Sequence, residues 1–283
     1  MKNFWRLSLG LLASVALILA GCSQEAAKPG EQSGVEEKKE PTPLEVLLKA
    51  DEVTNKGSFV YDANITQKMN AGGQNIDLGM SFTMEMVGEP FAMHMKGDMN
   101  MMGQSMPMEM YQVGQDMYMN VAGLGWMKSQ DTSSPAGQQP NEIADVLVKF
   151  INALGGDKLP DGIKVTKQGN DWLVETDYAV LLKNKAFASD IQQMIKDSLD
   201  DETLKEFGVA MDSSKLNFTK YTGTMIVDGT TYQTKSYKSE MIVGIPTGKE
   251  ELKMEQVMEM TLKGEYNGKI EVPEEVKKTA KPE

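Results

Sequence analysis

Three residue types in this chain could do chemistry by their kind and placement: a single cysteine, a single histidine and an excess of methionine. Cys22 is the only cysteine, so no intramolecular disulfide can form and no thiolate zinc site can be assembled. A Ser-His-Asp or Cys-His site would have to be built around His94. No nucleophile elbow and no second partner lie near it in sequence. It falls on the polar parity of a strand pattern, which reads as a solvated surface position. Histidine-rich zinc chemistry is excluded by number. There is no Walker A sequence and no dinucleotide fingerprint, and Gly123-Leu124-Gly125 reads as strand ahead of Trp126. The 41 acidic residues are spread as a solvated face would be, which leaves a carboxylate-pair enzyme only as a residual reading. The expectation is a non-enzyme without catalytic residues, resident metal or cofactor.

Methionine numbers 23, and fourteen of these lie between Met80 and Met127. Their facing is almost entirely of period two, and this admits three readings. Methionine can fill the core of a sheet, being unbranched and tolerant of irregular gaps. The same face can line a cavity for an apolar ligand, because thioether surfaces repack around varied shapes. Thioethers also select Cu(I), and Met93-His94-Met95 and Met99-Asn100-Met101-Met102 have the look of such a cluster. A regular strand would put His94 on the face opposite Met93 and Met95, which counts against the copper reading.

The N-terminus explains the cysteine. Lys2 and Arg6 precede an apolar run from Leu7 to Ala20, too short for a bilayer span and right for a secretory signal. Leu19-Ala20-Gly21-Cys22 resembles the bacterial lipobox, in which the cysteine thiol is diacylated and cleavage leaves that cysteine first. Residues 1–21 are expected to be a lipoprotein signal peptide and Cys22 the lipidation site, carrying diacylglycerol and palmitate-type chains. Two acyl chains anchor stably without help from the folded part. Losing Lys2 and Arg6 leaves 27 basic against 41 acidic residues, a net charge of −14. Such a chain is repelled by nucleic acid and by anionic lipid surfaces. The expected location is the extracytoplasmic face of the cell membrane, with no protein partner indicated. Residues 22–43 hold almost nothing that could be buried and read as a disordered tether. Residues 44–283 are long enough for one large domain.

Within that domain, Leu44, Val46-Leu47-Leu48 and Val53 recur at helical spacing up to Gly57. Phe59, Tyr61, Ala63, Ile65 and Met69 are then apolar at odd positions. After Asn70 to Asn75 the apolar set moves to even positions with Ile76, Leu78, Met80, Phe82, Met84 and Met86. After Gly88-Glu89-Pro90 it returns to odd ones with Phe91, Met93, Met95, Met99 and Met101. Met106, Met108 and Met110, and then Met117, Met119 and Val121, continue the series. Each switch coincides with a turn signal, as an antiparallel meander with one apolar face requires. Asn141 to Leu154 reads as a helix, Ile163 to Glu175 as a hairpin through Gly169-Asn170, and Phe187 to Gly208 as one or two helices. Three strands come after them, of which the middle one, Tyr232 to Val243, alternates poorly. Segregated strands and helices predict an α+β fold with an antiparallel sheet covered by helices.

This order resembles the LolA-like and LppX-like lipoproteins, in which a strongly curved antiparallel half-barrel wraps around helices. Glu109-Met110-Tyr111, Met117-Tyr118, Trp126-Met127-Lys128, Tyr266-Asn267-Gly268-Lys269-Ile270 and Val272-Pro273-Glu274-Glu275-Val276 resemble, more narrowly, a DUF6612-type family of Gram-positive lipoproteins. The resemblance implies a cavity between sheet and helices that carries acyl chains or other apolar ligands, and supplies no catalytic residues. The expected contacts are Phe82, Met84, Met86, Met93, Met95, Met108, Met110 and Met119. Tyr111, Tyr118, Trp126 and Trp172 could flank a cavity mouth or serve cross-strand packing. The alternatives are a cell-envelope interaction or sensor module with a filled core, and a Cu(I)-binding protein.

Overall fold

The computed structural model describes residues 40–71, 74–101, 103–121, 123–130, 151, 159–185, 187–189, 216–246 and 251–282. Cys22, the signal, nearly all of the tether and most of the two helical stretches expected at 141–154 and 187–208 lie outside them. From those stretches Ile151 and Phe187 are described, both buried against Ile163, Tyr178 and Leu181.

Helix α1 (Pro43–Lys56) begins where its sequence dictates. The Thr42 hydroxyl accepts from the Glu45 N–H at 3.2 Å and the Glu45 carboxylate accepts from the Thr42 N–H at 2.7 Å. This reciprocal capping box, with Pro43 in the first turn, satisfies two of the free donors of the helix start. The helix buries Val46, Ala50 and Thr54. Val46 and Ala50 pack on Trp172, Val174 and Val227, while Val53 reaches the methionine cluster.

Strands β1 (Ser58–Ala71), β2 (Gln74–Val87), β3 (Ala92–Met101), β4 (Gln104–Val113), β5 (Asp116–Val121) and β6 (Met127–Gln130) form the first meander. The second is β7 (Ile163–Gln168), β8 (Asp171–Asp177), β9 (Asn217–Val227), β10 (Thr234–Pro246) and β11 (Glu251–Glu265), with the short helix α2 (Tyr178–Leu181) after β8. Helix α3 (Glu274–Thr279) and β12 (Lys281–Pro282) close the chain. All twelve strands lie in one open, curved sheet in the order β12-β6-β5-β4-β3-β2-β1-β11-β10-β9-β8-β7. The first and last long strands, β1 and β11, are neighbours, so the two meanders share one continuous inner face. Every pairing is antiparallel except the short parallel contact of β12 with β6. The architecture is α+β, as the alternation predicts.

Two details differ from the sequence reading. Gly123-Leu124-Gly125 is the β5–β6 turn, not strand, and Gly123 and Gly125 adopt φ of 69° and 98°, which favour glycine. The poor alternation of β10 has two causes: its register against β9 shifts between Thr234 and Ser236, which reverses the facing beyond it, and further along the polar Ser239 faces inward while Ile242 shares the outer row with Glu255 and Lys220.

Candidate functional site

The inner face is built row by row from the strand registers. Met84, Met95, Met110, Met119 and Met127 stand opposite one another across β2 to β6. Met86, Met93, Gln112 and Met117 form the next row toward α1, and Phe82, Gly97 and Met108 the next away from it. All eight residues expected to contact a ligand therefore share one face. They are between 1 and 6 % exposed, packed with Phe59, Tyr61, Ile65, Met258 and Met260. In this state the middle of the face is closed. Toward the β1–β2, β3–β4 and β10–β11 turns it is less sealed, with Ile76, Met101, Met106, Phe218, Leu252 and Met254 only half-buried. Met93 and Met95 face inward while His94 faces out, so these three side chains lie on opposite sides of the sheet.

Two buried side-chain oxygens on β1 stand without a partner among the described residues. They are Tyr61 Oη (the residue is 0 % exposed) and Gln67 Oε1 (2 %), both on the inner side of the strand. Each such oxygen costs about 1–3 kcal/mol unless something satisfies it. The Gln67 amide nitrogen donates to Met254 Sδ at 2.7 Å.

On the outer face, register places Glu85, His94, Tyr111, Tyr118 and Lys128 in one row across β2 to β6. His94 is not the solvated residue its parity suggests. Its Nδ1 lies 3.0 Å from Glu85 and its Nε2 3.0 Å from Glu109, and its ring stacks on Tyr111 at 4.3 Å. Tyr111 donates to the same Glu109 oxygen at 3.0 Å, and burial together with that carboxylate pushes its phenol up to about 12. Burial works against ionisation of Glu109, but the hydrogen bonds from His94 and Tyr111 and the charge of Lys96 outweigh it, holding its carboxyl below the ordinary range. A lowered carboxyl stabilises the fold above its unfolded pKa, about 4.3, and loses that contribution as pH falls through the folded value. Melts taken from neutral pH to about pH 3 should therefore show Glu109→Gln less acid-sensitive than the parent. Equal acid sensitivity would remove Glu109 from the cluster's energetics.

The aromatic residues considered for a cavity mouth have other work. Tyr118 is covered by Val272 and Val276, with Tyr111, Trp126 and Ala280 around them, so the chain end straps the outer face of β4 to β6. Trp172 is buried under α1 with Val46 and Ala50. Among the described residues, no group of three His, Cys, Asp or Glu is placed to hold a metal ion. No described helix is long and apolar enough to cross a membrane.

An open antiparallel half-barrel with an uncharged, methionine-rich inner face places the chain among α+β proteins built around one curved sheet. The chain belongs to the family of unknown function DUF6612, whose model matches residues 42–281. A comparison with curated proteins found no match. Among solved structures, the chain is similar to one described as lipid-protein interactions in lipovitellin, at 10 % identity and a TM-score of 0.30. That match covers 77 % of this chain and 26 % of the other, so this chain spans about a quarter of it. A DUF1329 family protein from Desulfovibrio piger matches at 10 % identity, covering 80 % and 92 % of the two chains, with a TM-score of 0.26. A beta-barrel-like protein of domain DUF1849 from Brucella abortus matches at 7 % identity, covering 72 % and 98 %, with a TM-score of 0.24. At these scores the three structures carry no argument about this chain.

Proposed function

We propose that this protein is a lipoprotein held at the extracytoplasmic face of the cell membrane by acylated Cys22, without catalytic activity, which binds or carries an apolar, lipid-like ligand on its methionine face. The kinship with LolA-like and LppX-like half-barrels belongs to the same reading. The observation that carries it is the unbroken row of five methionines across β2 to β6, continuing toward a half-buried end. A core that only needs filling is better specified by branched side chains with few rotamers, whereas thioethers repack around a guest. The expected result is that organic extraction of the purified protein yields acyl compounds by mass spectrometry and that adding lipid raises its melting temperature. Reproducible absence of both would overturn the carrier reading. It would favour an envelope interaction module with a filled core, which the 1–6 % exposure of the eight residues supports.

The anchor has its own test. Cys22→Ser should move the protein from the membrane fraction to the soluble fraction. The wild-type N-terminal peptide should begin at Cys22 and carry the mass of a diacylglyceryl group. An unmodified Cys22 in the wild type would refute the anchor without touching the ligand proposal.

A further inference from the structure

The inner face is divided in its chemistry. Its β2 to β6 side is mainly methionine, with Phe82 and one buried amide, Gln112, whereas its β1 to β10 side carries several amides and hydroxyls. Gln67, Gln256, Met241 and Tyr221 share one row across β1, β11, β10 and β9. Ile65, Met258, Ser239, Gly223 and Thr176 share the next, which extends to β8. Over Gly223 the Tyr237 hydroxyl takes a hydrogen bond from Ser239 and gives one to Tyr178, whose ring stacks on Tyr221 at 4.4 Å. Gly223 lets this group sit close to the sheet, since a Cβ at 223 would lie 3.2 Å from Tyr237 Oη and 3.3 Å from the Tyr178 ring, a tight contact. Tyr221 and Tyr237 are deep enough for desolvation to push their phenols well up, yet both keep accessible surface. Along the same side stand the Tyr61 and Gln67 oxygens that have no partner among the described residues.

No described inward-facing position of β1 to β5, β9 or of β11 up to Leu262 is charged; Glu265, opposite Phe59 past the irregularity of that pair, is exposed at the end of β11. A buried phosphate or carboxylate would find no counter-charge there, whereas a hydroxyl or ester would find hydrogen-bond partners. We infer that the ligand is an uncharged amphiphile of the acylglycerol type. Its acyl chains lie on the methionine side, and its hydroxyl and ester oxygens meet Tyr61, Gln67 and the Tyr178–Tyr237 pair. This rests on the ligand-binding reading above and narrows it to one chemical class.

Every described element lies beyond residue 39, so the unacylated mature chain carrying Cys22→Ser holds the whole described fold. That protein is titrated with dioleoylglycerol, with dioleoylphosphatidylglycerol and with hexadecane, followed by native mass spectrometry and thermal stabilisation. Dioleoylglycerol should bind at least about tenfold more tightly than the phospholipid of identical chains, by the exclusion of an unpaired buried charge. Tyr61→Phe and Gln67→Leu, both near-isosteric and apolar, should each weaken dioleoylglycerol several-fold and leave hexadecane unchanged. Equal binding of the two lipids, or variants that keep full dioleoylglycerol affinity, would overturn the headgroup inference while leaving the carrier reading standing. Failure of all three probes would overturn both.

Discussion

Replacing Gly97 by alanine is expected to cost the domain at least about 3 kcal/mol, and replacing it by valine to prevent cooperative folding. Gly97 lies in β3 between Phe82 of β2 and Met108 of β4. A Cβ at this position would sit 2.1 Å from the Ser81 carbonyl oxygen and 2.5 Å from Phe82 Cα. These are backbone atoms of a paired strand, so relief requires β2 and β3 to part. Parting them opens the rows on either side, where Met80, Met84, Met95 and Met99 are buried. Gly79 is the control, one strand away. The nearest atom to a Cβ there is Asn100 Cβ at 3.8 Å, an ordinary contact. Gly79→Ala should stay within about 0.5 kcal/mol of the parent or gain slightly from a less flexible unfolded chain. Urea titrations followed by circular dichroism compare the two. Similar midpoints would mean that β2 and β3 do not approach as closely as described.

The contrast between these glycines shows what the sequence carries and what it withholds. Alternation across four turns is enough to read β1 to β5 and the shared inner face, since a one-residue slip would expose a whole set of apolar side chains. Strand partners are another matter. Nothing local indicates that β1 pairs with β11 across nearly two hundred residues, although both carry the same alternation, because pairing depends on how the second meander returns. β10 resists reading because a register shift reverses its facing after Thr234 and because Ser239 stands inward with Ile242 outward, and neither is visible until the neighbours are known. The chain end was missed for an opposite reason. Helix α3 has only six residues, too few for a periodic signal, and its marks are charge placement: Glu274 and Glu275 in the first turn, Lys277 and Lys278 in the last.

The site divides similarly. The eight inner residues were legible from parity alone, because facing inward is a property of a single strand. The Glu85–His94–Glu109 arrangement was not, because it depends on three strands being in register. The signal existed in weak form: Glu85, His94 and Glu109 all fall on the outward parity of successive hairpins, and Tyr111 lies two residues beyond Glu109. The unpartnered oxygens were hidden more deeply. Tyrosine and glutamine at inward positions look like ordinary core and edge residues, and only the three-dimensional surroundings reveal that Tyr61 Oη and Gln67 Oε1 lack partners among the described residues.

The strap formed by the chain end yields the second large effect, a local one. A six-residue helix has no stability of its own in water. α3 persists because Val272 and Val276 are buried on Tyr118 beside Tyr111 and Trp126, and because Lys281 N–H donates to the Trp126 carbonyl at 3.0 Å. Val276→Asp would place an unpaired carboxylate in that contact, and releasing the helix is cheaper than burying the charge. The expected outcome is loss of hydrogen-exchange protection across residues 270–282 and a red shift of Trp126 emission. The shift is best read in a Trp172→Phe background, since Trp172 belongs to the separate cluster under α1. Val276→Ile should keep both signals at parent values. Release of the strap would also expose the Tyr111 ring on which His94 stacks, so the acid sensitivity assigned to Glu109 should change in Val276→Asp and not in Val276→Ile. Unchanged exchange and emission in Val276→Asp would mean that α3 does not cover the outer face. The Glu85–His94–Glu109 group would then stand on strand pairing alone.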